Sequence, residues 1–231
     1  MIERYSIPAS INQLIERFQI EDSPPYKPKY NAAPTHLLPV ITHESPQGFS
    51  YFYWGVSPQF GKNKAVGERL INTRAEFIQE KPMLKKNLMR YRCLVPADGF
   101  FAWKKVGKKT SIPWRFISKQ KNLISFPGLW EEYDDSEGNS FHTFSIVTTT
   151  ANKNVIDVTD RMPVIFSRAE ELIWLNKEST EEILLALLRK NSPDLEGFTV
   201  SPGIKSPDAE SALLIRPTPA SDQFGNLTLF D

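Results

Sequence analysis

Cysteine and histidine are scarce in this chain: its 231 residues hold one cysteine, Cys93, and three histidines, His36, His43 and His142. One thiol cannot close an intramolecular disulfide, so nothing here calls for an oxidising compartment. With no CxxC pair and no two histidines at ligand spacing, no metal site is expected. Gly-rich phosphate loops and a nucleophile elbow are absent too; the stretch Gly197-Phe198-Thr199-Val200-Ser201 fits neither pattern, and no cofactor is expected. No apolar run approaches the ~20 residues that span a bilayer, and Met1-Ile2-Glu3-Arg4 does not open a signal peptide, which makes the cytoplasm the expected location and excludes a membrane partner.

A net charge is missing as well. Lys and Arg total 28 against 27 Asp and Glu, and 40% hydrophobic, 12% aromatic and 24% charged residues are ordinary for one or two globular domains. The near-neutral total averages two unlike regions. Between Lys62 and Lys121 sixteen basic residues face four acids, a local excess of +12 that leaves −11 for the remainder. Such asymmetry fits an anion-binding face or a solvated surface equally well.

Ser10 and Gln13 form a capping box before Ile11, Leu14, Ile15 and Phe18, whose spacing predicts a helix. Pro24, Pro25 and Pro28 impose an extended segment, and Leu37 to Thr42 and Phe49 to Trp54 read as a hairpin around a Ser-Pro-Gln-Gly turn. Strands are predicted at Arg90 to Val95, Gly99 to Lys104, Pro113 to Ile117, Leu123 to Phe126 and Phe141 to Thr149, with short ones near Phe198 to Val200 and Leu213 to Ile215. The strand setting of Cys93 makes it a buried structural thiol rather than a reactive one. Ser167 with Glu170, and Ser179 with Glu182, mark two more capped helices. The expected architecture is a single α+β domain over residues 1–216, a mostly antiparallel sheet curled into a barrel-like core with flanking helices, followed by a tail at 217–231.

Polar residues in apolar contexts recur in five segments. These are Tyr30-Asn31-Ala32-Ala33-Pro34-Thr35, Tyr53 to Phe60 with Trp54 and Gly55, Leu70-Ile71-Asn72-Thr73-Arg74-Ala75-Glu76, a Pro96 to Lys104 hairpin with Asp98 and Gly99, and Asp157 to Pro163 with Asp160 and Arg161. In this order they resemble the SOS response-associated peptidase (SRAP) family, also described as abasic-site processing proteins. The resemblance runs from about Arg4 to about Ile215. It implies an N-terminal cysteine at residue 2 whose amine and thiol condense with the ring-opened aldehyde of an abasic site in single-stranded DNA, giving a thiazolidine crosslink.

The chain departs from that pattern at each reactive position. Residue 2 is Ile2, without sulfur; Ala102 stands where the family carries a glutamate, and Thr159 where it carries a histidine. Nucleophile, proton-handling carboxylate and imidazole are all missing, so no catalytic residue is assigned. A bulky residue 2 also keeps the initiator methionine in place. The resemblance does assign DNA-binding roles to Arg4, Asn31, Asn72, Arg74 and Arg161, and a base-wedging role to Phe60. Guanidinium groups meet phosphates bidentately and aromatic rings stack on splayed bases. Each has a structural alternative: Asn31 and Asn72 as turn caps, Arg161 paired with Asp157 or Asp160. Trp54 reads as core, and Glu3 places an opposing charge beside the expected cleft.

Three functions follow. The first is a pseudoenzyme of the DNA-damage response that binds single-stranded or abasic DNA without crosslinking it, as a monomer, in the cytoplasm and on the nucleoid when DNA-bound. The second is an interaction or scaffold protein with a vestigial cleft. The third is residual Schiff-base chemistry through a lysine or the Met1 amine.

Overall fold

A computed structural model describes residues 2–21, 25–56, 71–134, 138, 140–189, 193–222 and 224–227. Along the described chain lie strands β1 (Tyr5–Ile7), β2 (Lys29–Ala32), β3 (Leu37–Thr42), β4 (Ser50–Trp54), β5 (Asn72–Arg74), β6 (Arg92–Ala97), β7 (Gly99–Lys105), β8 (Ser111–Ser118), β9 (Ile124–Asp134), β10 (Ser140–Thr150), β11 (Arg161–Pro163) and β12 (Leu195–Thr199). The helices are α1 (Ile11–Phe18), α2 (Ala75–Ile78), α3 (Pro82–Arg90), α4 (Arg168–Leu175) and α5 (Glu181–Leu187).

Two sheets share one core. In the first, β10, β4, β3, β6 and β9 pair in that order and β9 pairs back onto β10, closing a five-stranded barrel. Closure removes every free edge from the ring, so the ladder hydrogen bonds are satisfied without a neighbouring molecule. Only the β10–β4 contact in the ring is parallel. The second sheet runs β12-β8-β7-β1-β2, antiparallel throughout. Tyr5 joins the two, its buried ring meeting Trp54 and Phe126 of the barrel edge-on at centroid distances of 5.3 and 6.1 Å.

Capping at α1 and α4 follows the sequence expectation, with Ser10–Gln13 and Ser167–Glu170 each forming a reciprocal box. The cap of α5 is one residue later than expected. Thr180 accepts from the Ile183 amide, while the Ser179 hydroxyl turns back to donate to the Ile173 carbonyl of α4. Leu213 to Ile215 is a 3-10 turn (Ala212–Ile215) rather than a strand, nucleated by the Ser211 hydroxyl accepting from the Leu213 amide. The strand expected at Leu123 to Phe126 runs on to Asp134, because Pro127 and Gly128 lie in register between β6 and β10 instead of ending it. A Cβ at Gly128 would sit 2.8 Å from the Cys93 sulfur and 3.1 Å from the Ser145 carbonyl, so glycine permits the close approach.

The Pro96 to Lys104 segment is not a hairpin. All six residues of β6 are buried and pair with β3 and β9, whereas β7 pairs with β1 and β8. Asp98 is where the chain changes sheets, and it is pinned there: its carboxylate accepts from the Ser6 hydroxyl and from Arg115, both at 2.6 Å, while its amide donates to the Ser6 carbonyl. Strands β1, β2, β5 and β11 and helices α2 and α3 have no counterpart among the predicted elements; all but α3 are short, and α3 opens on a proline with no side-chain cap.

Arg92 locks the helices to the barrel. It is fully buried without a carboxylate partner, and its guanidinium donates to four carbonyls: Leu88 and Met89 at the end of α3, and Trp174 and Asn176 at the end of α4, at 2.8–2.9 Å. A cation against two helix C-termini satisfies carbonyls that have no intrahelical donor and opposes their partial negative charge. Burial pushes its pKa down from the usual arginine value. Arg92→Met is expected to lower the unfolding free energy by about 3–5 kcal/mol in urea titrations, since four buried carbonyls lose their donors. A loss under about 1 kcal/mol would mean that these helix ends are solvated instead.

Candidate functional site

Strand β10 continues beyond the barrel, and its last residues position three of the six predicted site residues. On one edge β5 follows β4, pairing Asn72 with Ile146 and Arg74 with Thr148; on the other β11 follows β9, pairing Arg161 with Thr150. Asn72, Arg74 and Arg161 are thereby gathered around residues 146–150 of β10 although nearly ninety residues separate them in sequence. Thr159 lies two residues before Arg161 and is half-buried, its amide donating to the Val155 carbonyl.

Residue 2 enters this group through Asn72. The Asn72 side-chain amide donates to the Ile2 carbonyl at 2.8 Å, and the Ile2 side chain is buried in the main core. Ala102, 2% exposed, belongs to the same core and lies on β7 just beyond the Tyr5–Phe100 pair of the β1–β7 ladder. The three positions that carry reactive groups in the resemblance thus present an isoleucine, a methyl group and a threonine. None of them titrates near neutral pH or supplies a nucleophilic amine or thiol.

Arg161 is 12% exposed at its side chain and pairs with neither Asp157 nor Asp160. Its two terminal nitrogens grip Glu76 bidentately at 2.8 and 2.9 Å, and one also donates to the Thr148 carbonyl at 2.7 Å. The Arg161 hydrogen bonds hold the Glu76 carboxyl below the usual carboxylate range. Arg74 is exposed, its guanidinium 5.7 Å from the centre of the Phe77 ring.

Arg4 and Asn31 form a second group. Arg4 donates to the Glu3 and Lys205 carbonyls at 2.6 and 3.1 Å, while the buried Asn31 amide donates to the carbonyls of Ser206 and Ala209 at 2.8 and 3.1 Å. Together they tie the segment after β12 to β1 and β2. Burial lowers the Arg4 pKa from its ordinary value, opposed by Glu3. Beside them His36 accepts from the Ala33 amide, and burial, with Lys29 and Arg4 nearby, pushes its pKa down and favours the neutral imidazole at physiological pH. Phe60 lies outside the described residues, as do Lys62, Lys64 and Arg69 of the basic stretch.

The described part of that stretch does not form one face. Arg92 and Arg115 are buried, Lys85 pairs with Glu181, and Lys119 with Asp194. Trp54 is core, its ring nitrogen donating to the Ile71 carbonyl at 2.8 Å. A cavity of about 290 Å³ between α1 and α4 touches none of the candidate residues. Among the described residues no three His, Cys, Asp or Glu gather as metal ligands, and no helix is long and apolar enough to cross a membrane. Glu76 is the functional residue that sequence reasoning passed over; it stood inside the Leu70 to Glu76 segment, but nothing in one dimension pairs it with Arg161.

Comparison with known proteins decides the family. The family model described as "SOS response associated peptidase (SRAP)" matches residues 1–207. The chain belongs to the SRAP family. It is 38% identical over 221 residues to "Abasic site processing protein YoqW" of Bacillus subtilis, covering 93% of this chain and 99% of that one, and 36% identical over 221 residues to YoaM of the same organism, covering 93% and 97%. Among solved structures, a protein from Bacteroides thetaiotaomicron superposes with a TM-score of 0.76 at 25% identity, covering 93% of this chain and 99% of that chain. This SRAP chain therefore carries the α+β barrel fold of its structural neighbour.

Two measurements probe the geometry. Asn72→Ala is expected to reduce stability by about 1–2 kcal/mol and to speed amide exchange around residues 2–5, because the Ile2 carbonyl loses its side-chain donor; unchanged exchange there would show that the core side chain alone holds residue 2. The Glu76 carboxyl has a folded pKa below its unfolded one, so its stabilisation is present above the ordinary carboxylate range and is lost as pH falls through the folded value. The stability difference between wild type and Glu76→Gln should accordingly be small, given Glu76's exposure, and should shrink from pH 7 to pH 3 in denaturant titrations. A difference that grows on acidification would contradict the pairing.

Proposed function

We propose that this SRAP chain binds single-stranded DNA, including DNA with abasic sites, in a DNA-damage context and does not form a thiazolidine crosslink. The observation that carries this reading is the state of residue 2: a buried isoleucine, its carbonyl held by Asn72, beside two arginines placed across β10. Thiazolidine formation needs an amine and a thiol on adjacent carbons of one residue, and isoleucine offers no thiol. The names of the relatives at 36–38% identity support an abasic-site context. Arg74 and Arg161 supply the forked cations suited to backbone phosphates, a sequence-tolerant mode of binding. We take the protein to act as a cytoplasmic monomer that joins the nucleoid when DNA-bound, with Phe60 as a stacking residue.

A second reading, a protein–protein scaffold with a vestigial cleft, is favoured by one observation: Arg4, Asn31 and Arg161 already have intramolecular partners. One experiment separates the two. Labelled single-stranded oligonucleotide, intact or with an abasic site, is titrated across a salt series and then run on a denaturing gel, with and without borohydride. The DNA reading expects binding at low salt with a log–log slope of about −0.7 per phosphate neutralised, and no denaturation-resistant adduct. No binding at low salt would favour the scaffold, an adduct without borohydride would refute the missing crosslink, and one seen only with borohydride would reveal Schiff-base chemistry.

A further inference from the structure

We propose that the Glu76 carboxylate occupies, in the free protein, the seat of a DNA backbone phosphate on Arg161, so that the nucleic acid binds by displacing an acid of the protein's own. This rests on the DNA reading above and deepens it by naming one phosphate subsite and its internal competitor.

The geometry carries the proposal. Both terminal nitrogens of Arg161 face the two Glu76 oxygens in a fork-to-fork pair, the arrangement that guanidinium groups make equally with carboxylates and phosphates. The guanidinium does not need Glu76 to be oriented. Its donation to the Thr148 carbonyl at 2.7 Å and to the Thr148 hydroxyl at 3.2 Å fixes it against β10. The two partners differ in exposure, with Arg161 at 12% and Glu76 at 45%, so the arginine is set in the wall and the carboxylate covers it from the solvent side. Arg74 stands exposed two residues before Glu76, on the strand that shares Thr148 with β11, and supplies a second cation at the seat's rim.

A displaced carboxylate also has somewhere to go. Glu76 lines a cavity of about 260 Å³ together with Gln79, Thr149 and Arg189. There the exposed Arg189 guanidinium donates at 3.0 Å to the neutral amide oxygen of Gln79, an acceptor that a carboxylate would outcompete. Glu76 thus lies between two arginines and holds the less exposed one, and exchange of a carboxylate for a phosphate on Arg161 conserves its charge pairing.

The test measures anisotropy of a labelled, unmodified single-stranded oligonucleotide with the full chain at low salt. Glu76→Gln, and Glu76→Ala as a second variant, are expected to bind about two- to tenfold tighter than wild type, the range set by a partly exposed charge pair. Asp194→Asn makes the same charge change at the outer edge of the other sheet, where Asp194 meets Lys119, and is expected to change affinity less than twofold. Arg161→Ala should weaken binding, and adding Glu76→Gln to it should yield no further gain, since the two residues act through one seat. Thermal melts confirm that each variant is folded. Salt-dependent binding that is unchanged or weaker in Glu76→Gln would overturn the seat and make Glu76 a brace for Arg161, leaving the DNA reading intact. Absence of binding by wild type and Glu76→Gln alike would overturn both.

Discussion

The eleven-residue strand β10 is the constraint on which the rest of this molecule depends. Its first half closes the barrel by pairing with β4 on one edge and β9 on the other, and its second half projects past the ring and recruits β5 and β11. A strand paired on both edges through its middle is held firmly, and its side chains alternate between fixed directions. Residues delivered by its neighbours on the two edges are therefore held about two strand spacings apart. The barrel is the frame, and the overhang of β10 is where that frame presents polar groups.

The same economy recurs in the buried arginines. Arg92 caps two helices at once, and Arg115 with Asp98 and Ser6 pins the point where the chain leaves the barrel for the second sheet. Both belong to a segment whose +12 excess invites a reading as a binding face. Burial converts part of that excess into internal scaffolding, which explains how a chain of net charge +1 can contain so basic a stretch without displaying all of it. Around β10 the charges are arranged differently. Arg161 is partly buried and anchored to Glu76 and Thr148, whereas Arg74 is open.

Residue 2 is held by its main chain as well as by its side chain. Ile2 fills a core position, and Asn72 holds its main-chain carbonyl, an interaction indifferent to the side chain. Ala102 and Thr159 likewise fit their surroundings without leaving a buried charge behind. Backbone anchoring of this kind holds residue 2 through its carbonyl, while the β5 and β11 pairings place Arg74 and Arg161 independently of it.

Much of this was legible in one dimension. Capping boxes at Ser10 and Ser167, the β3–β4 hairpin and the long apolar strands follow from local spacing and hydrogen-bonding chemistry, and the ordered segments from Tyr30 to Pro163 carry the resemblance and the three altered positions. Sequence also assigned Trp54 and Cys93 to the interior, and both are there. What it could not hold is pairing between distant residues. The division of Pro96 to Lys104 between two sheets, the shift of a cap from Ser179 to Thr180, the grip of Arg161 on Glu76 instead of a neighbouring aspartate, and the diversion of Arg4 and Asn31 to the carbonyls of residues 205–209 were all decided by tertiary structure. A side chain's local context sets what it can bond, whereas the closed ring of strands sets which partner comes within reach.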